Sequence, residues 1–449
     1  MRQAQKQGEP LNSFKNKYGM SKKNNPWMWV PSLYIFEGLP YFIVNTISVI
    51  VLKRLGLGNA DVALYTGLLY LPWVIKPLWS PFVDVLRTKR WWIVSMQFVM
   101  TVGVAVCALA TNPDIAEKGG SFYLLLSAFW FTAFASATHD IAADGYYMLS
   151  LDEHTAAQFV GIRNTFYRIA SVFGQGVLVV MAGILEKKYG DIPKAWMVTL
   201  MSVSALFALM AVYHLRMLPS PEADRSRVDA KSSARSVLKE LSGSFVTFFR
   251  KKGVVIAILF MLLYRLPEAF IVKMMNPFFL DPVSEGGLGL TTDQIGWAYG
   301  TFGAIALIAG GILGGFVAGR WGLKKCLWPM ALSLTLPCLV FVWMATAQPS
   351  NIWLISAGVC LDQFGYGFGF TAYTLYLMYF SRGEYRTSHY SICTAFMALS
   401  MMIPGTVAGY LQEMLGYKYF FWMVICCFIA TFAVVLSIKV DPEYAKKIS

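Results

Sequence analysis

Runs of roughly 20 apolar residues, each long enough to cross ~30 Å of hydrocarbon as a helix, recur along most of this 449-residue chain. They can be drawn at twelve places: 27–52, 60–83, 91–110, 121–147, 158–184, 195–217, 253–280, 291–319, 326–347, 351–380, 385–412 and 418–438. The runs are unbroken, whereas a strand of a membrane barrel alternates apolar with polar residues. Helices are then the form that satisfies every backbone N–H and C=O inside lipid. With 57% hydrophobic and only 14% charged residues, the composition excludes an ordinary soluble enzyme of this size. The expected fold class is an all-α membrane protein with twelve transmembrane helices.

The polar remainder is basic. Residues 1–26 are too hydrophilic to form the apolar part of a cleavable signal, so the N-terminus is expected on the cytoplasmic side. Alternating the loops across the bilayer then collects most Lys and Arg on that side, as the positive-inside rule requires, and places both termini there. Anionic headgroups account for the formal net charge of +13, and no nucleic-acid partner is expected.

Between the sixth and seventh runs the sequence turns polar and carries nine Lys/Arg from Arg216 to Lys252. This divides the chain into a tail (1–26), a six-span half (27–218), a basic linker (219–250), a second six-span half (251–438) and a tail (439–449). Within the linker, the spacing of Val237, Leu238, Leu241 and Phe245 predicts an amphipathic helix over 236–249 lying on the membrane. Two halves of six spans, related by a pseudo-twofold along the membrane normal, resemble the major facilitator plan. The loop "GGFVAGRWGLKK" is similar to a short basic signature of that superfamily through Gly315, Arg320, Gly322, Lys324 and Lys325, with Gly319 and Leu323 departing from it. Asp84, Arg87, Lys89 and Arg90 form a looser copy in the first half. Asp84, Arg87, Arg90, Arg320 and Lys324 are therefore expected to act in gating.

An ionised side chain at the bilayer centre costs at least ~2.5–3.5 kcal/mol on insertion scales, so each one calls for a reason. Ten lie within the runs: Glu37, Asp140, Asp144, Glu268 and Asp362 against Lys76, Arg163, Arg168, Arg265 and Lys273. Helical spacing groups them. Glu37, Tyr41 and Asn45 share a face, as do Asp140, Asp144 and Tyr147; Asn164, Arg168, Ser171 and Gln175 form a stripe; Arg265 and Glu268 lie one turn apart; Asp362, Tyr366 and Tyr373 share a face. Such stripes are expected to line a polar cavity between the halves. The simplest role for Asp140 and Asp144 is to neutralise Lys76 and Arg168 and so hold spans two, four and five together. The functional alternative is a carboxylate that gains and loses a proton as the site alternates, released by protonation from its basic partner.

His139 and His389 read as packed, hydrogen-bonded histidines, His389 with a further chance of meeting substrate. Tyrosines on the polar stripes can stack on sugar rings while their hydroxyls bind. The seven cysteines have no ligand-type spacing and read as small packing residues. No phosphate loop, Ser/His/Asp grouping or metal-ligand cluster is visible, so neither an enzyme nor a metal site is expected.

Several segments resemble the AmpG family of muropeptide permeases, whose relatives include siderophore uptake permeases and acetyl-coenzyme A transporters. They are "GLPYFI", "WVIKPLWSPFVD", "HDIAADGY" and "YRIAS" in the first half, then "YRLPEAF", "GLTTDQIGWAYGTFG", "DQFGYGFGFTAY" and "IPGTVAGYLQEMLGY" in the second. The resemblance implies a proton-driven importer of the bacterial inner membrane that carries anhydro-muropeptides inward. It places Lys76, Asp140, Asp144 and Arg168 on the family's buried charges. Glu37, His139, Asp362 and His389 depart from the usual residues, the kind of substitution through which relatives come to carry other sugars or chelates.

The expectation is a monomeric transporter for an anionic, sugar-containing solute, with other oligosaccharides, a siderophore, or a transporter-like sensor as rival readings. Proton coupling is expected of Asp140, Asp144, Glu268, Asp362 and Glu37. Substrate binding is expected of Lys76, Arg168, Arg265, Tyr41, Asn45, Tyr147, Asn164, Gln175, Tyr366, Tyr373 and His389. No cofactor beyond the proton gradient is expected.

Overall fold

The computed structural model describes residues 25–112, 121–151, 153–221, 224, 242–383, 386–442 and 444–445. Sustained apolar sequence makes the helices, and local stop signals set their ends. The Thr88 hydroxyl accepts from the Trp91 N–H to start one helix, and the Asn351 side chain accepts from the Trp353 N–H to start another. Gly190, at φ 64°, ends the helix before it in the left-handed conformation, and Asp191 caps the next. Gly416, at φ 70°, separates two rods at its turn.

In chain order the rods are α1 (Pro26–Arg54), α2 (59–86), α3 (Lys89–Ala110), α4 (Ser121–Ser150), α5 (153–189) and α6 (Ile192–Met217), then α7 (Val254–Leu280), α8 (Thr292–Trp321), α9 (Leu323–Ala347), α10 (Ile352–Phe380), α11 (386–415) and α12 (417–437). Among the described residues, nine helical stretches are long and apolar enough to cross a membrane. The expected twelve spans differ from that number in three places. α2 is interrupted at Leu69 and Tyr70, just before Pro72. α10 carries Asp362 and Gln363, which lower its mean hydropathy, and α11 with α12 forms one stretch bent at Gly416.

Within the first half α3 packs on α4 and α6, and α1 on α5; within the second α10 packs on α8 and α9, and α7 on α11. Two seams join the halves, α2 along α11 and α5 along α8. Widened π-helical turns occupy Ile43–Ile47 in α1, Phe173–Val177 in α5 and Gly296–Gly303 in α8, and the last two lie against each other. A Cβ at Gly300 would fall 1.8 Å from the Gln175 carbonyl oxygen, so glycine is what lets these backbones touch.

The polar bonds between halves gather at the end remote from the start of α1. Lys53 pairs with Asp281 at 2.6 Å, and Lys187 with Asp293 at 2.7 Å. The Asn59 amide nitrogen lies within 2.9 Å of Asp281 Oδ2, the Gln412 carbonyl oxygen and the Tyr417 hydroxyl, and the Ala60 N–H donates to Glu413 at 2.8 Å. Glu186 accepts from Arg54 and, across the seam, from Thr292. This end of the bundle is closed.

Candidate functional site

The first half gathers its charges on α1, α2, α4 and α5. Lys76 donates to Asp140 at 2.5 Å, and Arg163 to Asp144 at 2.9 Å. Asp144 also accepts from the Tyr34 hydroxyl at 3.3 Å. The Arg163 guanidinium lies over the rings of Tyr34 and Tyr147, 4.7 and 5.4 Å from their centroids. Glu37 stands beside both aspartates, with its Oε2 buried and without a hydrogen-bond partner. Three carboxylates thus share two cations. The cluster is partly open, the Asp144 side chain being 40% exposed. Tyr390 of α11 lies within electrostatic reach of Lys76, Asp144 and Arg163, so the cluster faces the other half.

The expected partner of Asp144 was Arg168; the structure gives it Arg163 instead. The two arginines are five residues apart, about 140° around a helix, and cannot both face α4. Arg168 reaches across the seam to α8, where a Cβ at Gly311 would lie 2.8 Å from its Nη1. Its guanidinium forms no ion pair or hydrogen bond among the described residues, while its carbonyl accepts from Ser171, and Tyr366 lies within its electrostatic reach. Tyr366 in turn accepts a hydrogen bond from Arg265, whose guanidinium sits over Tyr366, Phe370 and Tyr373 at 5.2, 4.6 and 5.6 Å. Arg265 Nε is buried without a partner. Two guanidinium groups therefore neighbour one tyrosine at the junction of the halves, neither bound to a carboxylate among the described residues.

The carboxylates of the second half are sealed rather than wet. Glu268 and Asp362 are 0% and 1% exposed, and an oxygen of each lies with Cys338 Sγ in a group spanning no more than 4.8 Å. Neither Glu268 oxygen has a hydrogen-bond partner; Asp362 accepts only from Gln363, at 3.0 Å. Lys273, also buried, donates to Thr66 of the other half at 2.9 Å and lies over the Tyr70 ring.

Other expected site residues fall in varied places. Tyr41 packs edge-on to Trp73 and Tyr70 near the seam, and Asn45, inside a π turn, donates back to the Tyr41 carbonyl. Gln175 lies where α5 meets α8. The Tyr373 hydroxyl donates to the Met261 carbonyl at 2.7 Å, so it helps hold α10 on α7 and its face is taken up by packing. His389 lies 3.1 Å from both the Ser244 carbonyl and Thr247, pinning the helix at 242–249. His139 and His214 both bond to Gln97, and His214 also to Ser32, a buried pin through α1, α3, α4 and α6. Among the gating residues, Arg90 bonds to the Leu215 and Leu218 carbonyls in its own half, Arg87 lies over Trp91, and Arg320 and Lys324 are exposed. The side chains of Asp84 and Asn164 lie outside the described residues, as does the 236–241 part of the expected linker helix. Sequence spacing did not single out Tyr34, Tyr70 or Tyr390. Tyr34 is one turn before Glu37, a signal that was available.

A bundle of apolar helices in two halves, with ionisable groups along the seam between them, is the fold of a multi-pass membrane transporter. It superposes on a D-xylose–proton symporter with a TM-score of 0.69 at 14% identity, over 94% of this chain and 99% of that one. The nucleoside transporter NupG gives 0.68 at 15% identity, over 92% and 100%. The BT1 family profile matches residues 37–337, and that of the Major Facilitator Superfamily matches residues 265–449. The chain belongs to the BT1 family. Its curated relatives include the putative transporter AmpG 4 of Rickettsia felis, 25% identical over 87% of this chain and 90% of that one. The anhydromuropeptide permease of Escherichia coli K12 is 22% identical over 83% and 72%.

Proposed function

We propose that this protein imports an anionic, sugar-containing solute of the anhydro-muropeptide class across the bacterial inner membrane, driven by protons and by alternating access. The observation that carries the substrate class is the pair of guanidiniums, Arg168 and Arg265, that neighbour Tyr366 with no carboxylate bonded to either among the described residues. A buried cation without a counter-ion is costly, and a substrate carboxylate bridging the two halves would neutralise it with charge-assisted hydrogen bonds. The neighbouring tyrosines offer ring faces and hydroxyls to a sugar. The names of the AmpG-type relatives support the same class.

For the driving ion, Glu268 and Asp362 are the better placed carboxylates. Two carboxylates so close together, with no cation bonded to either, cannot both stay ionised in a dry interior, and one proton held between them removes the repulsion. Asp140 and Asp144 already have cations and serve better to hold the first half's face together. Closure at one end, by the Lys53–Asp281, Lys187–Asp293 and Asn59 contacts, supports a state that opens toward the termini, the cytoplasmic side by the positive-inside rule.

The test is uptake of labelled anhydro-muropeptide into proteoliposomes under an imposed pH gradient. Accumulation above equilibrium is expected, and collapse of the gradient should abolish it. Saturable binding without flux would point to a sensor, and accumulation of a neutral oligosaccharide in preference to the anion would overturn the substrate class.

A further inference from the structure

We propose that the groove between α2 and α11 on the linker side is a binding site for one acyl chain of an anionic phospholipid, with its phosphate held by Arg250. The groove has a volume of about 200 Å³ and is lined by apolar side chains from both halves: Val74 and Leu78 of α2, Ile392 and Leu399 of α11, and Phe245 and Phe249 of the helix at 242–249. That helix is fixed to the second half. Phe248 packs on Phe380 and His389, His389 meets the Ser244 carbonyl, and Lys251 donates to the carbonyls of Phe380 and Arg382. Phe245 and Phe249, one turn apart, therefore form a wall that faces α2 across a gap which no described side chain fills.

The dimensions and the charge name the occupant. Ile392 to Leu399 spans ~10 Å of helix rise, about two thirds of the ~15 Å depth of one leaflet, so the groove takes part of an acyl chain. Where Phe249 ends the apolar wall, the exposed Arg250 follows, while Lys251 and Lys252 line a separate polar pocket with Arg382 and Asp441. An apolar wall followed by an adjacent cation is the pattern of a lipid tail and an anionic headgroup, and basic residues at this level attract anionic lipid. The chain would touch both halves at once, so its presence would resist their approach at this end. The assignment of the groove to the cytoplasmic leaflet rests on the positive-inside orientation, but the binding itself does not depend on transport.

The test uses purified full-length protein in phosphatidylcholine vesicles doped with phosphatidylglycerol carrying a photoreactive diazirine on one acyl chain, with labelled residues mapped by mass spectrometry. Labelling is expected to concentrate on 245–249 and 392–399 over exposed lipid-facing positions such as Ile429 and Leu436. Ala395→Trp, which fills the groove, should remove that excess, and Ala395→Val serves as a control that keeps the space. Arg250→Gln should lower the preference for phosphatidylglycerol over an equally labelled phosphatidylcholine by roughly fivefold. Uniform labelling, or excess labelling that survives Ala395→Trp in folded protein, overturns the site. Equal labelling by both lipids in the unaltered protein overturns the anionic headgroup. Failure of muropeptide uptake would leave all these readings intact and so strikes only the transport proposal.

Discussion

The two halves bury carboxylates in opposite ways. In the first, Asp140 and Asp144 each meet a cation within 2.9 Å and remain partly accessible. In the second, Glu268 and Asp362 are closed off from solvent, lie close to each other and bond to no cation. A paired, wet carboxylate is stable as an anion and orients its partner. A sealed, unpaired one is stable only when its charge is cancelled. The difference separates a structural and binding role from a proton-carrying one, although the sequence presents all four residues as equivalent acids in apolar runs.

The comparison breaks most sharply at Glu268. Glu268→Gln is isosteric and removes the charge, so gradient-driven accumulation should disappear completely while exchange of solute across the membrane without a gradient persists. Thermal stability should hold or rise, since a polar group with no partner loses little when its charge is removed. Driven uptake that survives both Glu268→Gln and Asp362→Asn would return the coupling role to the first half.

Asp140→Asn should behave in the opposite sense. It leaves Lys76 with no bonded anion, and the cost should be about 2–3 kcal/mol, below the 3–5 kcal/mol of a fully buried pair because the site is partly exposed. Melting temperature should fall together with uptake, and Lys76→Met added to Asp140→Asn should restore much of the stability. A melting point unchanged by Asp140→Asn would remove the structural reading of this pair.

Arg168→Gln comes next. A lost hydrogen bond to a charged group is worth about 1.5 kcal/mol or more, so binding of an anionic solute should weaken by roughly tenfold, with a neutral analogue much less affected. Equal loss for both ligands in equilibrium binding would make Arg168 a structural residue.

Much of this was legible before the structure, for definite reasons. Unbroken apolar runs permit only helices in lipid, so the fold class followed from length and composition. The stripe Asn164, Arg168, Ser171, Gln175 was expected to line a cavity between the halves; Arg168 and Gln175 do lie against α8, although the π turn at Phe173–Val177 departs from ideal α spacing. Partner choice did not follow: whether Asp144 meets Arg163 or Arg168 depends on where α4 lies against α5, which no spacing within either helix encodes. The spacing of Glu37, Tyr41 and Asn45 was read as an ideal α stripe, but the π turn at Ile43–Ile47 inserts an extra residue and turns Asn45 back on its own helix. The dryness of Glu268 and Asp362 was also hidden, since a polar stripe looks the same whether it faces water or a sealed seam. For His389 the sequence left two roles open, a packed histidine and a substrate contact, and only the structure shows it bonded to Ser244 of the linker helix.

The smallest expected effect concerns the clamp at the closed end, and it sharpens the contrast between paired and unpaired charge from outside the core. Lys187 and Asp293 bridge the halves at 2.7 Å, but the lysine side chain is 57% exposed. An ion pair so open to solvent is worth only about 0.2–1 kcal/mol and is screened further by salt. Lys187→Ala should therefore shift the balance between closed and open states at this end by no more than about fivefold, and less at high ionic strength. Asp281→Asn should shift it more, because Asp281 is buried and bonds at once to Lys53, Asn59 and Tyr417. Reaction of a single cysteine introduced at Ala63 with a membrane-impermeant maleimide reads this balance, since Ala63 of α2 is 1% exposed, packs into the apolar cluster of the second half and is reachable only when the halves part. Labelling that rises equally in the two variants would mean that the clamp does not depend on burial, and the rule separating the two halves would then fail where it is easiest to measure.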